Sequence, residues 1–337
     1  MKYNWFIAII IFFFIIAIGL VYNTTNFLWR ETNLAYHSQD LRNYRYHFVM
    51  IARATEEGYW EKAHNGALRV AKAEKTALEY YVPRFLDLKE LERFLEMSIL
   101  SSVDGILISV PNDPTFKALI DEATEKKIPV VTLSNNIKES KQISFVGVNT
   151  YDLGYKTGRA LTKAVSGNIQ VAVLVSSDFS SINQQRYLKG VKDAIKDYPG
   201  LKLKLILTSK GSSISAEEQT QTILTDYPEI QAIICSNASD TLGVAKSVVD
   251  LNRVTHMTII GRGLTVDNAN YIKRGVIWGV LADDAFELGA QGLTTLIRIK
   301  EGKIKQENYD MPLFLINNKN LNSYSSMLTS FDSHEKN

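Results

Sequence analysis

Ile128-Pro129-Val130-Val131-Thr132-Leu133-Ser134-Asn135-Asn136 is the stretch whose reading decides the fold. A charged helical run, Asp121 to Lys127, precedes it. That run ends at Pro129, which cannot continue a helix. Buried β-type residues follow, then small polar residues with free hydrogen-bonding groups. This is the pattern of a parallel strand in an α/β sheet whose carboxyl end opens onto a site. Ile143-Ser144-Phe145-Val146-Gly147-Val148 reads as the next strand, ending at Asn149. A second α/β unit begins there. The polar tip therefore lies near a junction of two similar units, where small-molecule clefts concentrate.

The rest of the chain repeats one rhythm. Strands are expected at Phe48–Ala52, Leu78–Val82 and Gly105–Val110, with helices at Trp60–Lys75, Leu88–Leu100 and Thr115–Lys127. Beyond Asn149, helices over Tyr151–Val165, Asn183–Lys196, Ser215–Leu224 and Thr241–Leu251 separate strands at Val171–Val175, Leu203–Thr208, Gln231–Cys235 and Met257–Ile260. A strand at Val276–Leu281 and a long helix, Phe286–Lys300, complete the series. Such alternation implies α/β architecture with doubly wound parallel sheets, helices covering both faces.

The 337 residues suit two cores better than one. Lys+Arg 38 against Asp+Glu 36 leaves a net charge of +2. Nucleic acid is not an expected partner, because phosphate recognition needs concentrated positive charge. A single cysteine, Cys235, excludes an internal disulfide and a cysteine-cluster metal site. It ends the apolar run Ala232-Ile233-Ile234, so a buried structural thiol is expected.

Trp5 to Tyr22 is apolar throughout, without charge or proline, and reaches the lower limit for crossing a bilayer as a helix. Lys2 and the amino terminus are positive on the near side, and the far flank carries no charge until Arg30. The positive-inside rule puts the N-terminus in the cytoplasm and the rest outside. The alternative is a cleaved signal peptide with its site at Ala17-Ile18-Gly19, but the apolar run continues past it. The expected organisation is a transmembrane anchor over residues 1–22, a juxtamembrane stalk over 23–44, a binding domain over 45–325 and a polar tail over 326–337.

No phosphate loop, nucleophile elbow or dinucleotide fingerprint is present, and the five histidines are never paired at ligand spacing. No catalytic constellation, cofactor or metal site is expected. What remains lies at strand ends. Glu57, Tyr59 and Trp60 follow the first strand, and Ser134 and Asn135 follow the organising strand. Gln185 and Arg186 open the helix after Ser180-Ser181. Asn237, Arg262 and Asp283 each follow a later strand. Any one alone reads as a cap or turn residue, Asn237 and Asp283 above all. Together, two aromatics, amides, guanidinium groups and a carboxylate suit a neutral polyhydroxylated ligand, whose hydroxyls need donors and acceptors and whose C–H faces stack on rings.

Over about residues 45 to 325 the chain resembles the type I periplasmic binding protein family, the ribose- and galactose-binding kind. The stretches that carry this are Ile128–Leu133, Asn149–Gly154, Ser236–Gly243, Leu288–Gly292 and Lys300–Gly302. The resemblance implies two lobes joined by three crossovers and closing on a sugar. Lobe 1 would hold about 45–148 and 284–312, and lobe 2 about 149–283 and 313–325. The family's aromatic pair falls on Tyr59 and Trp60, its site asparagine on Asn237 and its late polar contact on Asp283. There are departures. The family's Asp-Arg pair is Ser134-Asn135 here. Gly263, beside Arg262, replaces a turn aspartate. A helix arginine is offset, leaving Gln185 and Arg186 as candidates.

The expected function is an anchored extracytoplasmic receptor that closes on a pentose or hexose and signals to a membrane histidine kinase. The alternatives are a solute-binding subunit working with a sugar ABC permease, and a scaffold that binds no small molecule. Repressors of the same fold need a DNA-binding helix-turn-helix where the apolar segment stands.

Overall fold

Short apolar strands and amphipathic helices alternate along the chain because the central strands are buried on both faces and each helix on one. The computed structural model describes residues 44–53, 58–84, 87–137, 139–177 and 181–328. The expected transmembrane segment, the stalk up to residue 43, Glu57 and the tail beyond residue 328 lie outside the described residues. Among the described residues no helix is long and apolar enough to cross a membrane.

The first sheet contains β1 (His47–Ile51), β2 (Ala77–Tyr81), β3 (Gly105–Ile108), β4 (Val130–Leu133), β5 (Ser144–Gly147) and β11 (Tyr309–Asp310), in the order β11-β5-β4-β3-β1-β2. All its pairings are parallel. β3, β4 and β5 are buried at every position, as a sheet covered on both faces requires. Helices α1 (Tyr59–Ala73), α2 (Leu88–Leu100) and α3 (Pro114–Glu125) make the crossovers. Each of the last two starts where the sequence supplies a cap: Asp87 accepts from Lys89 N and Glu90 N, and Asp113 precedes a proline at the first helical position.

The second sheet contains β6 (Ile169–Ser176), β7 (Leu201–Ser209), β8 (Ile230–Cys235), β9 (Thr258–Arg262), β10 (Gly279–Ala282) and β12 (Phe314–Asn317), in the order β12-β10-β9-β8-β6-β7. Helices α4 (Thr150–Ala164), α5 (Ser181–Ile195), α6 (Ser213–Asp226), α7 (Ala238–Asp250) and α8 (Val266–Lys273) accompany it. Helix α9 (Ala285–Lys300) returns to the first sheet and packs on α1, β3 and β4. The chain thus changes sheet between β5 and α4, between β10 and α9, and between β11 and β12. Two α/β lobes with parallel sheets result.

Two features depart from the expected pattern. Strand β12 runs antiparallel to β10. The strand expected over Val276–Leu281 forms only from Gly279, because Val276 N and Ile277 N still donate to Tyr271 O, closing α8. Cys235 is buried, and burial pushes its thiol well above the usual range.

Candidate functional site

The carboxyl ends of both sheets face a cleft of about 500 Å³ at the crossovers. Helix α1 enters it without a side-chain cap, from Gly58 at φ 74, a left-handed turn that favours glycine. This brings Tyr59 and Trp60 to the cleft, with ring centroids 5.2 Å apart and planes at 84°. Trp60 is only 5% exposed and packs into the core of the first lobe as well, so it is both wall and core.

Between α1 and two strand ends of the second sheet, three residues form one polar unit. Tyr59 Oη donates to Asp283 Oδ2 at 2.7 Å. Arg262 Nη2 pairs with Asp283 Oδ1, and its Nη1 donates to Leu281 O at 3.1 Å. The Asp283 side chain is 3% exposed and that of Arg262 16%. A carboxylate this buried is tolerable because both oxygens are hydrogen-bonded and a cation faces it. Asp283 is free for this role because the capping of α9 falls to its neighbour: Asp284 accepts from Phe286 N at 2.9 Å and Glu287 N at 3.3 Å. Asn237 does cap its helix, accepting from Asp240 N at 2.6 Å. Its amide nitrogen has no partner among the described residues, and Asn237 lines the cleft.

The loop after β4 supplies the first lobe's far wall. Ser134 adopts φ 61, a left-handed conformation uncommon for serine. Asn135 Nδ2 donates to Val110 O at 3.1 Å, so part of its hydrogen-bonding capacity holds the loop. Gln142 braces the same loop, accepting from Thr132 Oγ1 and Ile137 N. On the other wall, burial pulls the Lys62 ammonium below its usual pKa, against opposing pulls from Asp284 and Glu61.

Of the residues singled out in the sequence, Tyr59, Trp60, Ser134, Asn135, Asn237, Arg262 and Asp283 line the cleft. Glu57 lies outside the described residues. Gln185 and Arg186 do not reach the cleft; both are exposed. Helix α5 buries Tyr187, Gly190, Val191 and Ala194. The residue one turn before Tyr187 on that face is Asn183, and it is Asn183 that lines the cleft. The sequence reading also missed Arg53, Lys62 and Ser236. Arg53 stands two residues past the end of β1, as Asn135 does past β4 and Asn237 past β8. Lys62 stands three residues after Tyr59, on the same helix face.

This two-lobed architecture, with its cleft at the strand ends, defines a class before it defines a relative. Residues 48–304 match the sequence model of the periplasmic binding protein domain, and the chain belongs to that family. Its fold is that of the type I members. A D-ribose/D-allose-binding protein of Pseudomonas aeruginosa is 23% identical over 228 residues, 65% of this chain and 70% of the relative. The crystal structure of GanP, a glucose-galactose binding protein from Geobacillus stearothermophilus, is 30% identical, with a TM-score of 0.77 over 82% of this chain and 98% of GanP. The XylFII–LytSN complex contains a chain 25% identical, with a TM-score of 0.73 over 82% of this chain and 98% of that one.

Proposed function

We propose that this chain is an extracytoplasmic receptor that closes its two lobes on a neutral monosaccharide. The observation that carries this reading is the buried Tyr59–Asp283–Arg262 unit beside Trp60 and the open amide of Asn237, in a cleft of about 500 Å³. The volume falls in the range of small-molecule sites. An aromatic face, amide and guanidinium donors and a charge-balanced carboxylate match the alternating hydroxyls and C–H faces of a pyranose or furanose. Relatives named for ribose, allose, glucose and galactose support the ligand class.

The receptor is held at the membrane by the apolar segment Trp5–Tyr22, with its binding domain outside, and it signals to a membrane histidine kinase. The extracytoplasmic setting of the family and the apolar, charge-free segment support the location. The XylFII–LytSN complex supports a separate protein as the partner. Ligand would act by differential affinity for the closed lobes, which present another surface to that partner.

A thermal-shift screen of the full chain in detergent against pentoses and hexoses tests the ligand. At about a hundred times its dissociation constant, the right sugar stabilises the protein by about 2.7 kcal/mol. A flat screen on folded protein would favour a scaffold. Cross-linked co-purification tests the partner: a kinase is expected, and a permease instead would make the chain a transporter's solute-binding subunit.

A further inference from the structure

The cleft has one wall that the sequence pattern does not announce. After β12 the chain forms a short 3-10 turn, Leu321–Met327, and Ser326, Met327 and Leu328 line the cleft. This turn is fixed to the second lobe. Leu321 is 3% exposed, within that lobe's core. Tyr324 packs on Phe314 with ring centroids 5.5 Å apart. Asn320 ties its base, accepting from Asn317 N at 2.8 Å and donating to Leu315 O at 2.9 Å.

The turn also touches the first lobe. Lys62 Nζ, on the first turn of α1, donates to Met327 O. The same turn of α1 also reaches the crossover before α9, through the bond from Tyr59 to Asp283 and the attraction between Lys62 and Asp284. Met327 follows β12 on the second lobe, so the Lys62–Met327 bond joins the two lobes. A half-buried ammonium that loses such an acceptor forfeits a charge-assisted hydrogen bond, so the bond resists separation of the two lobes.

We propose that the C-terminal turn is a latch on the cleft, built onto the second lobe and tied to the first by Lys62, so that the lobes open only when the Lys62–Met327 bond breaks. Lys62 is a positioning residue here. The bond uses a backbone acceptor, so the latch exists without ligand. It favours the closed lobes before the sugar arrives and slows opening afterwards.

The test needs no ligand, and so it stands whether or not the sugar reading does. Nitroxides are placed at Glu96→Cys and Lys273→Cys, exposed positions on the two lobes, in the full chain in detergent. Double electron–electron resonance then reads the distance between lobes. The parent is expected to hold a closed population. Lys62→Met should lower it several-fold, and Lys62→Arg, which keeps a donor, should retain most of it. Deletion of residues 325–337 should act like Lys62→Met, and the two together should go no further. A closed population that Lys62→Met leaves unchanged, or a parent that is open throughout, would overturn the latch. So would effects of the two changes that simply add.

Discussion

In each lobe one pair of helices meets closely with glycine on both sides. In the first lobe α1 meets α9: a Cβ on Gly66 would stand 1.8 Å from Phe286 O, and one on Gly289 1.7 Å from Ala63 O. In the second lobe α4 meets α5: a Cβ on Gly154 would stand 2.0 Å from Tyr187 O, and one on Gly190 2.2 Å from Tyr151 O. The packing is alike and the consequences differ. The first pair joins segments about two hundred residues apart, and its leading ends carry Tyr59, Trp60 and Lys62 on one side and follow Asp283 on the other. The second pair joins consecutive helices and offers the cleft only Thr150, Leu153 and Asn183. One helix pair therefore builds the site, and the other mainly builds a lobe.

The largest effect should come from the polar unit that the first pair frames. Asp283→Ala removes the carboxylate and leaves Arg262 buried without its counter-charge, a loss of about 3 kcal/mol or more. Urea denaturation should show it, and sugar binding should disappear with it. A stable variant that still binds sugar would remove the unit from the site. Next come the glycines themselves. Gly289→Ala and Gly190→Ala should each destabilise by about 1–3 kcal/mol through overpacking. Only Gly289→Ala should also weaken sugar affinity at a temperature where both variants are folded. Equal losses of affinity would erase the difference between the pairs.

A smaller contrast lies at the sheet edges. β1 and β2 of the first lobe carry a titrating pair, with His47 Nε2 2.8 Å from Glu79 Oε1. Its hydrogen bond to Glu79 holds His47 above its ordinary 6.5, and the same bond holds Glu79 below its ordinary 4.5. The histidine's contribution to stability is complete below pH 6.5 and fades as pH rises through the raised value; the glutamate's is complete above 4.5 and fades as pH falls through the lowered one. Melting temperature should thus be highest between those values and drift down on the alkaline side. His47→Gln should abolish the alkaline drift. The pair is part-exposed, so the effect stays below about 1 kcal/mol. A drift that survives the substitution would assign it elsewhere. Least of all, Gln185→Ala and Arg186→Ala should leave sugar affinity untouched and stability within about 0.5 kcal/mol, read by the same titration and denaturation.

What the sequence shows plainly is what depends on local pattern. The alternation of apolar runs and amphipathic helices yields both parallel sheets. The proline stop before Val130 fixes β4, and polar residues at or after the ends of β1, β4, β8, β9 and β10 mark the cleft edge, which is why Tyr59, Asn135, Asn237, Arg262 and Asp283 could be found. What depends on helix phase is less visible. The register of α5 is set by burial of Tyr187 beneath β6, and that chooses Asn183 over Gln185 and Arg186. Whether Asp283 or Asp284 caps α9 turns on one residue of helix start. The C-terminal turn contributes to the cleft through a carbonyl, Met327 O, and no side-chain pattern encodes that.

The central claim is that the cleft between the lobes takes one monosaccharide. Isothermal titration calorimetry of the full chain with individual pentoses and hexoses tests it most directly, beside Asn237→Ala, which removes the open amide and costs only about 1 kcal/mol of cap stability. The account predicts one saturable site per chain for at least one sugar, with a negative heat-capacity change and a loss of affinity of tenfold or more in the variant. Folded protein that gives no heat with any sugar, or binding that Asn237→Ala does not weaken, would contradict it.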